Sequence, residues 1–216
     1  MELKREYLKV YGITDRGCLK NGTLSEQVEK ALKGGVSMIQ FREKVLEGEA
    51  YIEEAKKIRR LCAEYQVPFI INDSVEMAQK IGADGVHVGQ KDMNAQMARK
   101  QMGRDKIIGV TARTLEQAIR AQEDGADYLG VGAVFHTASK KDAVDLDWEV
   151  LKEICATVDI PVVAIGGITT DNVSLLKGIG IDGVAVISGI FGQEDVEDAA
   201  GKMKELVNDI VDKERQ

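Results

Sequence analysis

Proline is almost missing from this chain: 2 residues in 216, against 22 glycines. That balance speaks against proline-rich linkers between domains and for many tight strand–helix junctions. Histidine is equally scarce. With only His87 and His136, a multi-histidine metal site within one chain is not expected. The three cysteines, Cys18, Cys62 and Cys155, are odd in number and dispersed. They fit neither a disulfide framework nor a CxxC metal site, so ordinary thiols in a reducing cytoplasm are expected. No run of about 18 apolar residues is present to span a bilayer. The opening MELKREYLKVYGITD has no apolar stretch of the secretory kind, so no leader is expected there. A formal net charge of -7 argues against broad binding to nucleic acid or anionic membrane, though not against a local phosphate site.

What is present is 44% hydrophobic content, enough for one sizeable core. Short β-rich runs alternate with segments of helical period along the whole length. The strands are expected at 8–15, 37–43, 68–73, 85–89, 107–112, 128–135, 161–167 and 183–189. Amphipathic stretches such as LSEQVEKALKGG and WEVLKEICATV lie between them, and DVEDAAGKMKELVNDIVDKE closes the chain. GGVSMIQ, GADGVHV, GADYLGV and GIDGVAV form a weak repeat, each with a glycine helix stop just before a strand. Eight βα units in about this length predict a (β/α)8 TIM barrel, one α/β domain over 1–216. A doubly wound open sheet is the runner-up.

A barrel of this kind gathers its chemistry at the C-terminal strand ends. Polar residues collect there in the sequence. Strand 2 ends on Gln40, Arg42 and Lys44, which share one face by alternation. Strand 3 ends on Asn72 and Asp73, strand 4 runs into GQKD with Asp92, and strand 5 reaches Thr111. Strand 6 leads to Thr137, Ser139 and Lys140, strand 7 to Gly166 and Gly167, and strand 8 to Ile187 and Ser188. No comparable set is apparent at the strand beginnings. Arg42, Lys44 and Lys140 suit a polyanion. Asp73 and Asp92 among those cations suit Mg²⁺, so a pyrophosphate–Mg²⁺ unit is the implied ligand. A separate phosphate fits the backbone after strands 7 and 8. Plainer roles are open for each residue. Arg42 and Lys44 could pair with Glu43 or Glu47, Asn72-Asp73 could cap a helix, and His87 could be a hydrogen-bonded structural histidine. Tyr7, Trp148 and the methionines read as packing groups.

At these residues the chain resembles the thiamine-phosphate synthase family. The matching pieces are YGITD, IQFREK, IND, GADGVHVGQKD, IIGVTA, DYLGVGAVFHTASKK, PVVAIGGI and GVAVISGI, in family order. The resemblance implies a transferase that joins a hydroxymethylpyrimidine diphosphate to a thiazole phosphate and releases pyrophosphate. It leaves open whether the thiazole enters in its carboxylate form, and whether the chain forms homo-oligomers. Carried over by position, Gln40, Arg42, Lys44, Asn72, Thr111 and Lys140 contact the pyrimidine diphosphate. Arg42, Lys44, Lys140 and Thr111 serve the chemistry, and Asp73 and Asp92 hold Mg²⁺. Thr137, Ser139, Gly167, Ile187 and Ser188 receive the thiazole phosphate. Thr111 stands where serine is common and Ser139 where threonine is common. Ala133 and His136 depart from the usual GPxxxT stretch. A thiazole tautomerase on the same barrel is one rival, and a non-catalytic phosphate-ligand sensor is another.

Overall fold

The computed structural model describes residues 2–137 and 146–211. Eight parallel strands close into a barrel in chain order: β1 Val10–Ile13, β2 Met38–Phe41, β3 Phe69–Asn72, β4 Gly85–Val88, β5 Ile107–Ala112, β6 Tyr128–Gly132, β7 Val162–Ile165 and β8 Gly183–Val186. Pairing of Tyr11 with both Met38 and Ala185 joins the last strand to the first. Around them lie α1 Leu24–Lys33, α2 Gly48–Glu64, α3 Val75–Ile81, α4 Ala95–Met102, α5 Leu115–Glu123, α6 Trp148–Thr157, α7 Ser188–Phe191 and α8 Val196–Val211. The expected single (β/α)8 architecture is therefore what the chain adopts. One unit departs from the simple repeat: a 3-10 turn, Val173–Leu176, joins β7 to β8. Within this connection Gly178 and Gly180 both sit at positive φ, which interrupts helical backbone. No helix of the described residues is long and apolar enough to cross a membrane.

Two apolar layers hold the fold. Outward-facing strand residues such as Ile39, Phe41, Ile71 and Val86 pack under the helices. A smaller inner cluster, including Met38, Ile70, Ile107 and Val163, fills the barrel. Each such side chain contributes about 1.5–3 kcal/mol when fully buried. Helix starts are set by side chains. Thr23 and Glu26 form a capping box on α1, and Ser74, Asn94 and Thr114 accept from the third backbone N–H of α3, α4 and α5.

The repeated glycine stops take the conformation expected of them. Gly82, at φ +72, is the left-handed cap of α3, and Gly125 follows α5 at φ +88. Three of the four repeats also carry an aspartate just before the strand, with its own task, and the strand beginnings carry charge after all. Asp84, Asp127 and Asp182 precede β4, β6 and β8. Each accepts, through its carboxylate, the N–H of a residue at the start of the preceding strand: Phe69 (3.0 Å), Ile108 (2.6 Å) and Val162 (2.9 Å). The same three aspartates donate their own N–H to those residues' carbonyls at 2.9, 2.8 and 2.8 Å. Arg99 pairs with Asp127 at 2.6 Å, and Arg5 pairs with Asp182. This end of the barrel is a framework of satisfied charges.

Candidate active site

At the opposite end, β1 and β2 are locked where they finish. The Thr14 hydroxyl accepts from Arg42 N–H (2.9 Å) and donates to the Arg42 carbonyl (3.1 Å). The guanidinium is 4% exposed and reaches Asp15 through Nη1 at 2.6 Å. Asp15, not Glu43 or Glu47, is thus its partner. Alternation sends Glu43 to the other side, where it accepts from Arg16 Nε (2.9 Å) and from the N–H groups of Val45 (2.7 Å) and Leu46 (3.3 Å). Burial works to raise the Glu43 pKa, but these hydrogen bonds outweigh it and hold the carboxyl below its ordinary value. They also fold 43–46 into a turn with Lys44 exposed at the mouth.

β3 ends on Asn72, and Asp73 follows in the left-handed region at φ +66, which aspartate tolerates better than most residues. Its N–H donates to the His87 carbonyl at 2.7 Å. Ser74 caps α3, so Asn72-Asp73 is not the helix cap. On the neighbouring strand, where His87 stands opposite Asn72, the chain turns into Asp92. The Asp92 carboxylate accepts from Gly89 N–H at 2.8 Å, while Asn94 caps α4. Two exposed carboxylates therefore leave adjacent strands on the β2–β4 side of the mouth.

The β5–β8 side is different. There Thr111, Thr137, Gly167, Ile187 and Ser188 line one cavity of about 50 Å³, open to solvent. Gly167 sits at φ +66, and a Cβ on it would fall 2.4 Å from the His136 carbonyl oxygen. Only glycine lets these two loops touch. Arg113 also lines the cavity, a cation that the sequence reading passed over. Its signal was available, because it continues the parity of Thr111 one residue past the end of the strand as read, 107–112. Ser139 and Lys140 lie outside the described residues, as does the middle of 136–147. Both ends of that connection are pinned. Leu146 N–H donates to Ala133 (2.7 Å), Trp148 Nε1 donates to Val134 (2.9 Å), and the Trp148 ring meets Phe135 edge-on at 5.5 Å. Trp148 packs as expected, and His136 is exposed at the rim.

Gln40 and Thr111 are joined beneath the mouth. Gln40 Nε2 donates to Tyr11 Oη (2.6 Å), which contacts Tyr128 Oη (2.8 Å). Tyr128 Oη meets His87 Nδ1 (3.0 Å), and His87 Nε2 meets Thr111 Oγ1 (2.9 Å). His87 is the hydrogen-bonded, buried histidine that its strand position suggested. Tyr11 and Tyr128 were not singled out from sequence, since each sits in an apolar strand run. The cysteines are free thiols, and burial, with Asp15 nearby, pushes Cys18 up to about 11, away from nucleophilic chemistry.

Comparison with known proteins places this geometry. A family model described as thiamine monophosphate synthase matches residues 10–190. A thiamine-phosphate synthase of Clostridium tetani is 49% identical over 200 residues, covering 93% of this chain and 96% of its own. One of Clostridium botulinum is 43% identical over 205 residues, covering 95% and 96%. A solved thiamine phosphate pyrophosphorylase from Pyrococcus furiosus superposes with a TM-score of 0.87 at 41% identity, over 96% of this chain and 98% of that one. The chain belongs to the thiamine monophosphate synthase family.

Proposed function

We propose that the chain is a transferase that condenses an aminopyrimidine-methyl diphosphate with a thiazole phosphate, forming thiamine phosphate and pyrophosphate. The observation that carries this reading is the division of one mouth into two unlike halves. Arg42, Lys44, Asp73 and Asp92 lie on the β2–β4 side, and a glycine-walled cavity with one cation, Arg113, and no carboxylate among the described residues of its lining lies on the β5–β8 side. A diphosphate and a monophosphate substrate call for such a pair. The full-length relatives named for this activity support it.

In this reading Gln40, Asn72 and Thr111 hold the pyrimidine, and Arg42, Lys44 and Lys140 hold the diphosphate. Thr137, Ser139, Gly167, Ile187 and Ser188 receive the thiazole phosphate. The bond between the methylene carbon and the diphosphate oxygen breaks, its electron pair leaving with pyrophosphate. The aminopyrimidine shares the positive charge, and the thiazole nitrogen lone pair then forms the new C–N bond. No side-chain nucleophile or base is needed, which suits a mouth with His136 exposed at its edge. Arg42, fixed by Asp15, aims its remaining donors at charge that grows on the leaving group. Preplaced donors of this kind are worth about 2.7–4 kcal/mol each in favourable cases. Asp73 and Asp92 are exposed oxygen donors on adjacent loops, the chemistry a Mg²⁺ site needs, and both would hold that ion. When bound, it would neutralise diphosphate charge.

The test incubates both substrates with and without Mg²⁺ and follows thiamine phosphate and pyrophosphate. Mg²⁺-dependent appearance of both products is expected. Binding without turnover would indicate a sensor, and aromatisation of a thiazole phosphate alone would indicate a tautomerase. Either outcome overturns the proposal, as would wild-type rates in Lys140→Ala and Asp92→Ala together.

A further inference from the structure

The chain of contacts from Gln40 to Thr111 crosses the barrel interior, through a layer otherwise filled by side chains such as Met38, Ile70, Ile107 and Val163. Phenylalanine would fill the places of Tyr11 and Tyr128 as well, so packing alone does not account for the two hydroxyls. Room has been made for their partners. A Cβ on Gly109 would lie 2.1 Å from Tyr128 Cζ and 2.5 Å from His87 Nδ1, and one on Gly130 would lie 3.1 Å from His87 Cε1. Tyr11, Tyr128 and His87 are 1%, 0% and 7% exposed. Buried polar groups of this kind are costly unless every one is matched.

Matching them fixes a direction. Gln40 donates to Tyr11, so the Tyr11 hydrogen goes to Tyr128. Tyr128 already accepts one bond and donates its own hydrogen to His87 Nδ1. The imidazole is then the tautomer protonated at Nε2, which donates to Thr111 Oγ1. At one end an N–H of the Gln40 amide is held by Tyr11, which fixes the rotation of the amide and leaves its carbonyl oxygen as the acceptor for the mouth. At the other, the Thr111 oxygen has accepted a bond and its O–H remains to be donated. Resting on the aminopyrimidine reading of the mouth, we propose that Tyr11, Tyr128 and His87 are positioning residues. Their hydrogen-bond chain makes Gln40 an acceptor and Thr111 a donor, and so selects a heterocycle that offers an amino N–H donor and a ring-nitrogen acceptor. Burial raises the pKa of both tyrosines, which keeps the two O–H groups in place.

A pyrimidine with an oxo group in place of the amino group exchanges donor for acceptor at both points, which makes it the discriminating probe. Affinities for the aminopyrimidine diphosphate, its oxo counterpart and Mg²⁺-pyrophosphate are measured on the full chain and on Tyr11→Phe and Tyr128→Phe. The two variants break separate links, so either one suffices should the other fail to fold. Wild type is expected to favour the amino form by about 100-fold, since a mismatched ligand leaves buried polar groups unpaired. Each variant is expected to lose at least about tenfold of that ratio, as Gln40 and Thr111 become free to reorient, with pyrophosphate affinity held within about twofold. A ratio kept in both variants overturns the proposal and leaves the proposed function standing. Equal loss for all three ligands marks a merely structural role and overturns it too. Wild-type preference for the oxo form reverses the direction and overturns it as well. Wild type binding neither pyrimidine sinks both this inference and the function on which it rests.

Discussion

Aspartates stand at both ends of the barrel, and the two sets are partnered in opposite ways. At the strand beginnings Asp84, Asp127 and Asp182 each bracket a neighbouring strand with a carboxylate bond and a backbone bond, and arginines pair with the last two. At the mouth Asp73 and Asp92 are exposed on loops, and the cap positions beside them are filled by Ser74 and Asn94. Delegating the caps to neighbours keeps the mouth carboxylates out of the helix framework. The same side chain serves as a brace where its oxygens bind the start of a neighbouring strand, and stands exposed to solvent at the mouth.

The sharpest break in that comparison is Asp92→Ala. It should lower kcat/KM for the two-substrate reaction by about 10²–10³, as expected when one preorganised electrostatic group is removed. The melting temperature should barely move, because Asp92 is exposed and accepts a single loop N–H. Asp182→Ala should do the reverse. It strands the Val162 N–H and the Arg5 charge, at a cost of about 1–3 kcal/mol, read as a fall of several degrees in the melting temperature. Turnover per folded molecule at 25 °C should stay near wild type. A matched loss of activity in both variants would remove the distinction between the two ends.

Much of this division was legible in the sequence. Short β-rich runs and glycine stops marked the eight strands, and the polar residues at their ends marked the mouth. IQFREK revealed by alternation that Gln40 and Arg42 share a side. What alternation does not reveal is which partner lies across the barrel. Tyr11 and Tyr128 are 117 positions apart and meet only because β1 and β6 belong to one closed ring. The partner of Arg42 was equally hard to assign: Glu43 and Glu47 lay nearby in sequence, and Asp15 reaches it only because β1 and β2 end side by side. The aspartates were visible in three of the four glycine repeats, but their role depends on the register of the adjacent strand.

Within the mouth itself, Gly167→Ala separates the two halves. Its new Cβ would press on the His136 carbonyl at 2.4 Å and on Phe135 Cβ at 2.8 Å, from a backbone at φ +66. The β6 and β7 loops must then move apart. The KM for the thiazole phosphate should rise about tenfold while that for the pyrimidine diphosphate stays within about twofold, measured by varying each substrate at saturation of the other. A parallel rise in both constants would mean that the halves are not independent.

The smallest effect is also the one that sits between brace and site. Glu43 has a fully buried side chain, like the bracing aspartates, yet it holds the turn that carries Lys44. Its carboxyl is held below the ordinary value of 4.5: burial opposes ionisation, but the bonds from Val45, Arg16 and Leu46 prevail. A depressed carboxyl contributes stability that is fully present above its unfolded pKa and lost as pH falls through the lower, native one. Glu43→Gln removes that contribution while keeping the shape. The stability gap between wild type and variant, from denaturant melts, should be widest near pH 7. It should narrow only below about pH 4.5, as the wild-type carboxyl takes up its proton. At pH 7 the variant should also bind Mg²⁺-pyrophosphate a few-fold more weakly, because the Lys44 turn loses its anchor. A gap that stays constant down to pH 3 would show that the charge on Glu43 does not hold the turn.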